Sequence, residues 1–236
     1  MRILILREIS QNSIDDIYSV TDYSRYEYTG AANVGNKLWF SGLVSTVSTD
    51  DNQITFLTSD MSSDYINENF DLCIKPEANI FSPHFIRYMD WHVERFKGVR
   101  IPIYVIACGA QAESYDKLDE LVNSIREPAT KFIKSVYATG GEFALRGWFT
   151  YELFSKLGFP NAVVTGCPSL YQVESTLRVE KSHLTRFELK PALNGEIPLC
   201  KKALADYKDS EFFDQGIYYG ALFEPNWKSG GVLKYI

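Results

Sequence analysis

Several features are scarce or missing in this sequence, and each absence narrows what the chain does. The four cysteines, Cys73, Cys108, Cys167 and Cys200, are scattered with no C-x-x-C pair, so their spacing supports neither a zinc site nor a disulfide framework. They read as free thiols, and no metal or other cofactor is expected. Positive charge is in the minority, 24 Lys and Arg against 30 Asp and Glu for a net charge of −6. No basic run is long enough to neutralise a row of phosphates, which argues against a nucleic-acid partner. Long apolar runs are also missing. The start, MRILILREIS, has four consecutive apolar residues before a charge, short of a signal peptide's apolar region and far short of a membrane span. The expectation is a cytoplasmic protein without a transmembrane segment. No D-x-D triplet occurs.

What is present is an α/β pattern. At 236 residues, 45% hydrophobic and 23% charged, the chain can bury a full-sized core. Aromatic residues reach 14% and fit an aromatic-rich core ahead of a sugar-stacking surface. Residues 142–171 show the pattern most fully. Phe143 to Leu145 reads as a strand, and Phe149, Leu153, Phe154 and Leu157 recur at helical spacing. Gly158 and Pro160 stop that helix, and Ala162 to Val164 begins another strand.

Upstream, a first strand is predicted at either 2–6 or 26–30, and further strands at 53–57, 70–74 and 101–107. The last, IPIYVIA, lacks polar alternation, as expected of a parallel strand covered on both faces. Helices are predicted over Leu38 to Val47, from Pro83 to about Lys97, and through Leu118 to Ile125, with Pro128 restarting the chain as a second short helix. Past Tyr171, a strand at Arg186 to Leu189, a loop through Pro191, Gly195 and Pro198, and a helix at 199–207 are predicted. The implied fold class is α/β, a doubly wound Rossmann-like parallel sheet. Residues 1–175 read as one domain, and 176–236 as the start of a truncated second domain or a C-terminal extension. The aromatic tail, with Phe212, Phe213, Tyr218, Tyr219, Phe223 and Trp227, needs a cover, either a homo-oligomer or a missing C-terminal domain.

Ligands of open α/β sheets sit outside the carboxyl ends of the strands, so polar residues at predicted strand ends form the candidate site. Lys75, Glu77 and Asn79 follow one strand, Gln111 and Glu113 follow IPIYVIA, and Arg146 follows Leu145. Thr165, Cys167 and Ser169 follow the last strand of the group. The planar fork of Arg146 suits a carboxylate or phosphate. Glu77, Glu113 and His84, near a helix start, are able to move protons. Asn33, Gly35 and Asn36 lie in a loop feeding a helix N-terminus, where free N–H groups favour an anion. Cys167 has no histidine nearby in sequence and is not read as a nucleophile. His92 reads as a surface or packing histidine.

Taken in order, Asn33-Val34-Gly35-Asn36, the glycine-rich break after IPIYVIA, and above all FALRGWFTYELFSKLG followed by VVTGCPSLY resemble the polysaccharide pyruvyl transferase family. The resemblance covers residues 26–171. It implies the first of two Rossmann-like domains in a glycosyltransferase-B-like arrangement, and transfer of a pyruvyl group from phosphoenolpyruvate to a sugar in exopolysaccharide or cell-surface glycan synthesis. It implies Arg146, Glu77 and His84 as catalytic residues, with Asn33, Gly35, Asn36, Lys75, Asn79, Gln111, Glu113, Thr165, Cys167 and Ser169 binding substrate. The chain departs from the family at three points. Asn36 stands where the family loop has Asp, the glycine-rich turn at Gly109 is not followed by the histidine that some relatives have there, and the family's second-domain Arg-Leu-His-type motif has no counterpart. Two other readings follow from the residues, a non-catalytic glycan-binding or assembly module and a nucleotide-sugar glycosyltransferase.

Overall fold

The computed structural model describes residues 1–8, 34–171, 192–194 and 211–213, with side chains for 1–7 and 39–171. It divides into two units, Met1–Ser10 with Trp39–Gln172, and Gln11–Leu38 with Val173–Ile236. The first unit holds a sheet of six strands: β1 (Arg2–Glu8), β2 (Gln53–Leu57), β3 (Leu72–Pro76), β4 (Ile103–Cys108), β5 (Phe143–Leu145) and β6 (Val163–Val164). Their order is β2-β1-β3-β4-β5-β6, and every pairing is parallel. Helices α1 (Val34–Val47), α2 (Ser63–Asn69), α3 (Ile86–Arg95), α4 (Leu118–Tyr137) and α5 (Trp148–Lys156) connect them. In the second unit, β7 (Ala192–Asn194) and β8 (Glu211–Phe213) form a parallel pair.

Period-two alternation sends the strand side chains to two faces. Leu4, Cys73, Ile103, Val105, Phe143 and Leu145 face a large core completed by α2 to α5, while Ile3 and Ile74 pack with Leu43 of α1 on the other side. The sheet is therefore wound in both directions. Winding reverses between β1 and β3, and the carboxyl ends of those strands are where such a fold opens a crevice. The large core is aromatic, with Phe81, Phe132, Phe143 and Phe154 all fully buried and Phe81 edge-on to Phe154 at 5.1 Å between ring centres.

Of the two candidates for the first strand, 2–6 is the one observed, as Arg2–Glu8 between β2 and β3, while 26–30 lies outside the described residues. The structure corrects three other expectations. β3 begins two residues later than predicted, because Phe70 instead ends α2, its N–H donating to the Ile66 carbonyl at 3.1 Å. Lys75 and Pro76 consequently belong to the strand. Pro76 is its last residue, past Ile74 where the pairing with β1 ends. Pro128 does not restart a helix but lies inside α4. The buried stripe of Leu121, Ile125, Ala129, Phe132, Ile133 and Val136 keeps one phase through the proline, and its packing offsets a penalty of about 3 kcal/mol. Finally, Ala192–Asn194 is a strand where a loop was predicted. The predictions at 186–189 and 199–207, the aromatic tail past Phe213 and Cys200 lie outside the described residues.

Candidate functional site

The carboxyl end of β3 carries a charged pair that is almost wholly buried. Cys73, Lys75 and Glu77 share a face, so Lys75 and Glu77 both point toward α3, and Lys75 Nζ lies 2.7 Å from Glu77 Oε1 with side-chain exposures of 7% and 8%. His92, on the buried side of α3, meets the same oxygen, its Nε2 at 3.1 Å. Tyr88, one turn earlier, accepts a hydrogen bond from Lys75 Nζ at 3.2 Å. Burial alone would raise the Glu77 pKa, but the Lys75 charge and the His92 hydrogen bond outweigh it and hold the carboxyl at about 2. Burial lowers the His92 pKa below 6.5 despite the bond to Glu77, so its neutral ring donates through Nε2. Its Nδ1 is then left buried without a partner. From β1, Arg7 lies over the rings of Phe40 and Trp39 at 4.6 and 5.8 Å, close enough to Glu77 and Tyr88 for their charges to act on it.

β4 and β5 extend this cluster through a local distortion. Ala107 adopts φ of 67°, a left-handed conformation that costs a residue with a Cβ about 1 to 2 kcal/mol. The register against β5 slips there, so that Cys108 rather than Ala107 stands beside Leu145. The slip turns Cys108 onto the α3–α4 face, within electrostatic reach of Glu77, Lys75 and Arg146. Burial, with Glu77 adding to it, pushes the Cys108 pKa well up, and burial alone takes Cys73 to about 12. Both thiols stay protonated and unreactive. Arg146 follows β5, its N–H donating to the Cys108 carbonyl at 2.8 Å. Its Nε and Nη2 are buried with no hydrogen-bond partner. An unsatisfied buried charged donor is costly, which makes Arg146 the residue most in need of a ligand here.

No metal-holding group of His, Cys, Asp or Glu occurs among the described residues, and no helix among them is long and apolar enough to cross a membrane. In comparisons with protein-family models, curated proteins and solved structures, nothing matches this chain. The site therefore stands on its geometry alone.

Beyond the cluster, the loops after β3 and β4 are tied together. Gly109 N–H donates to Ala78 O at 2.7 Å, Phe81 N–H to Gly109 O at 3.2 Å and Gln111 N–H to Phe81 O at 3.1 Å. Asn79 sits against Gly109, where a Cβ would come within 2.6 Å of its Oδ1. Thr150 Oγ1 accepts from Ala110 N–H at 3.0 Å and anchors the second loop to α5. The paired loops line one wall of a cleft of about 400 Å³, which His84, Gln111 and Glu113 enter and the first turns of α4 close.

The sequence-predicted residues thus fall into separate groups. Lys75 and Glu77 are in direct contact, Arg146 approaches them through Cys108, and His84, Gln111 and Glu113 share the cleft. Asn79 braces the loops. Thr165, Cys167 and Ser169 lie at the sheet edge after β6. There, Ser169 Oγ donates to Cys167 Sγ at 3.2 Å, and Pro168 packs so tightly on Gly42 of α1 that a Cβ would come within 2.0 Å of its carbonyl oxygen. None of the three lines the cleft. Gly35 and Asn36 fall in the first turn of α1, and Asn33 lies outside the described residues.

Sequence reasoning missed His92, Tyr88, Arg7 and Cys108. One signal was present, because Met89, His92 and Phe96 recur at i, i+3 and i+7, which puts the histidine on the buried stripe.

Proposed function

We propose that this chain is a transferase of the polysaccharide pyruvyl transferase type, with phosphoenolpyruvate as donor and a sugar as acceptor. The observation that carries the proposal is Arg146, whose Nε and Nη2 are buried and unpartnered beside the Lys75–Glu77 pair's neighbour Cys108. Among the described residues, the cluster has three cations, Arg7, Lys75 and Arg146, against the single carboxylate of Glu77. A small ligand bearing a carboxylate and a phosphate answers that imbalance, and the guanidinium fork holds either group with two parallel hydrogen bonds.

In this reading the enol methylene of the donor takes up a proton and becomes a methyl group. One sugar hydroxyl adds at the neighbouring carbon, the phosphate leaves with its bridging oxygen, and a second hydroxyl closes the ketal. Of the two hydroxyl protons released, one balances the methyl group and the other goes to phosphate. Glu77, held at about 2, is ionised at neutral pH and cannot supply the proton. Its role is to fix Lys75 in place. His84, exposed at the cleft, is the remaining proton carrier among the three catalytic candidates. The same reading places the chain in the cytoplasm, where the unpaired thiols Cys73, Cys108 and Cys167 fit a reducing compartment.

The test is direct. The chain is incubated with phosphoenolpyruvate and a panel of methyl hexosides, and released phosphate is measured beside the mass of the glycoside. Phosphate release that needs the glycoside, with a pyruvyl ketal on the product, is the expected result. Phosphoenolpyruvate left intact under every acceptor, or phosphate released without a ketal, counts against the proposal.

A further inference from the structure

We propose that the cleft between the loops after β3 and β4 is a separate subsite for a neutral, hydroxyl-rich ligand, a saccharide. For its role as acceptor site, the inference rests on the transferase reading; the binding itself does not. The volume of about 400 Å³ falls within the range of small-molecule sites. What distinguishes this cleft is the chemistry of its walls. His84 and Gln111 present groups that donate and accept hydrogen bonds, matching hydroxyls that do both, and Ser124, whose hydroxyl donates to the Leu121 carbonyl at 2.8 Å, is left to accept.

Charge separates the cleft from the cluster. Its walls carry Glu113 and Glu120 against the single ammonium of Lys117, and Lys117 Nζ is already bound to Glu120 Oε1 at 2.5 Å. A phosphate or carboxylate entering here meets a net negative wall, whereas the cluster presents net positive charge. Two sites of opposite sign do not compete for one ligand. Glu113 makes no hydrogen bond to the described residues and is exposed at the wall, so its carboxylate is left to accept from a sugar hydroxyl. The tying of Phe81 to Gly109 and of Gln111 to Phe81 braces the two loops against each other and fixes the wall that they form. The site is thus preformed rather than assembled by its ligand.

The experiment uses the full chain and two probes, methyl hexosides and phosphoenolpyruvate, each followed by saturation-transfer NMR and titration. Ser124→Trp fills the cleft from an exposed position on α4, Glu113→Gln removes one charge-assisted acceptor, and circular dichroism checks that both variants fold. A hexoside should bind the wild type, lose its signal in Ser124→Trp and weaken about tenfold in Glu113→Gln, while phosphoenolpyruvate binding stays unchanged in both. Arg146→Ala should show the reverse pattern. The inference is overturned if no hexoside binds the wild type, if Ser124→Trp leaves hexoside binding intact, or if that variant abolishes phosphoenolpyruvate binding instead. Hexoside binding confined to the cleft, with no phosphoenolpyruvate binding anywhere, upholds the subsite and removes the donor reading.

Discussion

Lys75 and Glu77 form a buried ion pair two residues apart on one face of β3, Nζ to Oε1 at 2.7 Å, at the point where the winding of the sheet reverses. A pair so placed adds little net stability, because the desolvation of both charges offsets most of their attraction. Its position where the winding reverses instead makes it the centre of the candidate site.

Breaking the pair from one side leaves a buried charge with no counter-ion. Lys75→Met and Glu77→Leu should each destabilise the fold by about 3 to 5 kcal/mol, whereas the two substitutions together should cost less than either alone. Urea unfolding of the four proteins measures this. A double variant as unstable as the sum of the singles would mean that the two charges act independently.

Acid should weaken the fold in two stages with the same sign. The unfolded chain protonates His92 below 6.5 and Glu77 below 4.5, whereas the folded chain resists both, holding Glu77 ionised to about pH 2. In each window the unfolded state binds more protons. The stability contributed by each group is therefore complete above its ordinary pKa and is lost as pH falls. For Glu77 the loss between 4.5 and 2 amounts to about 3 kcal/mol. Stability measured against pH should fall across that range in the wild type and flatten there in Glu77→Gln.

The left-handed Ala107 gives a backbone test. Ala107→Gly should change stability by less than about 0.5 kcal/mol, because relief of strain offsets glycine's greater freedom in the unfolded chain. Ala107→Val, branched at a residue with φ of 67°, should cost more than about 2 kcal/mol. Equal costs for the two variants would show that the conformation is unimportant.

Much of the fold was legible because its signals are local. Strand and helix alternation, the stop at Gly158 with φ of 92°, and the placing of Arg146 just past Leu145 all follow from residues close in sequence. The errors share a cause. Phe70 is as apolar as a strand residue yet closes a helix, and Pro128 is a helix breaker overruled by a buried stripe on both sides of it. At the site, the polar residues at the strand ends were identified, but which of them meet depends on tertiary register. His92 reaches Glu77 only because α3 packs that face against β3. Cys108 turns toward the cluster only because Ala107 adopts a conformation that alanine does not advertise.

The central claim is that Arg146 is the anchor of an anion site, and the most direct test is thermal unfolding with phosphoenolpyruvate in the wild type and in Arg146→Ala. A ligand at about 100 times its dissociation constant adds about 2.7 kcal/mol, which raises the midpoint of a domain of this size by roughly 5 to 10 °C. The account predicts such a rise in the wild type and none in the variant. No rise in either protein, or an equal rise in both, would contradict it.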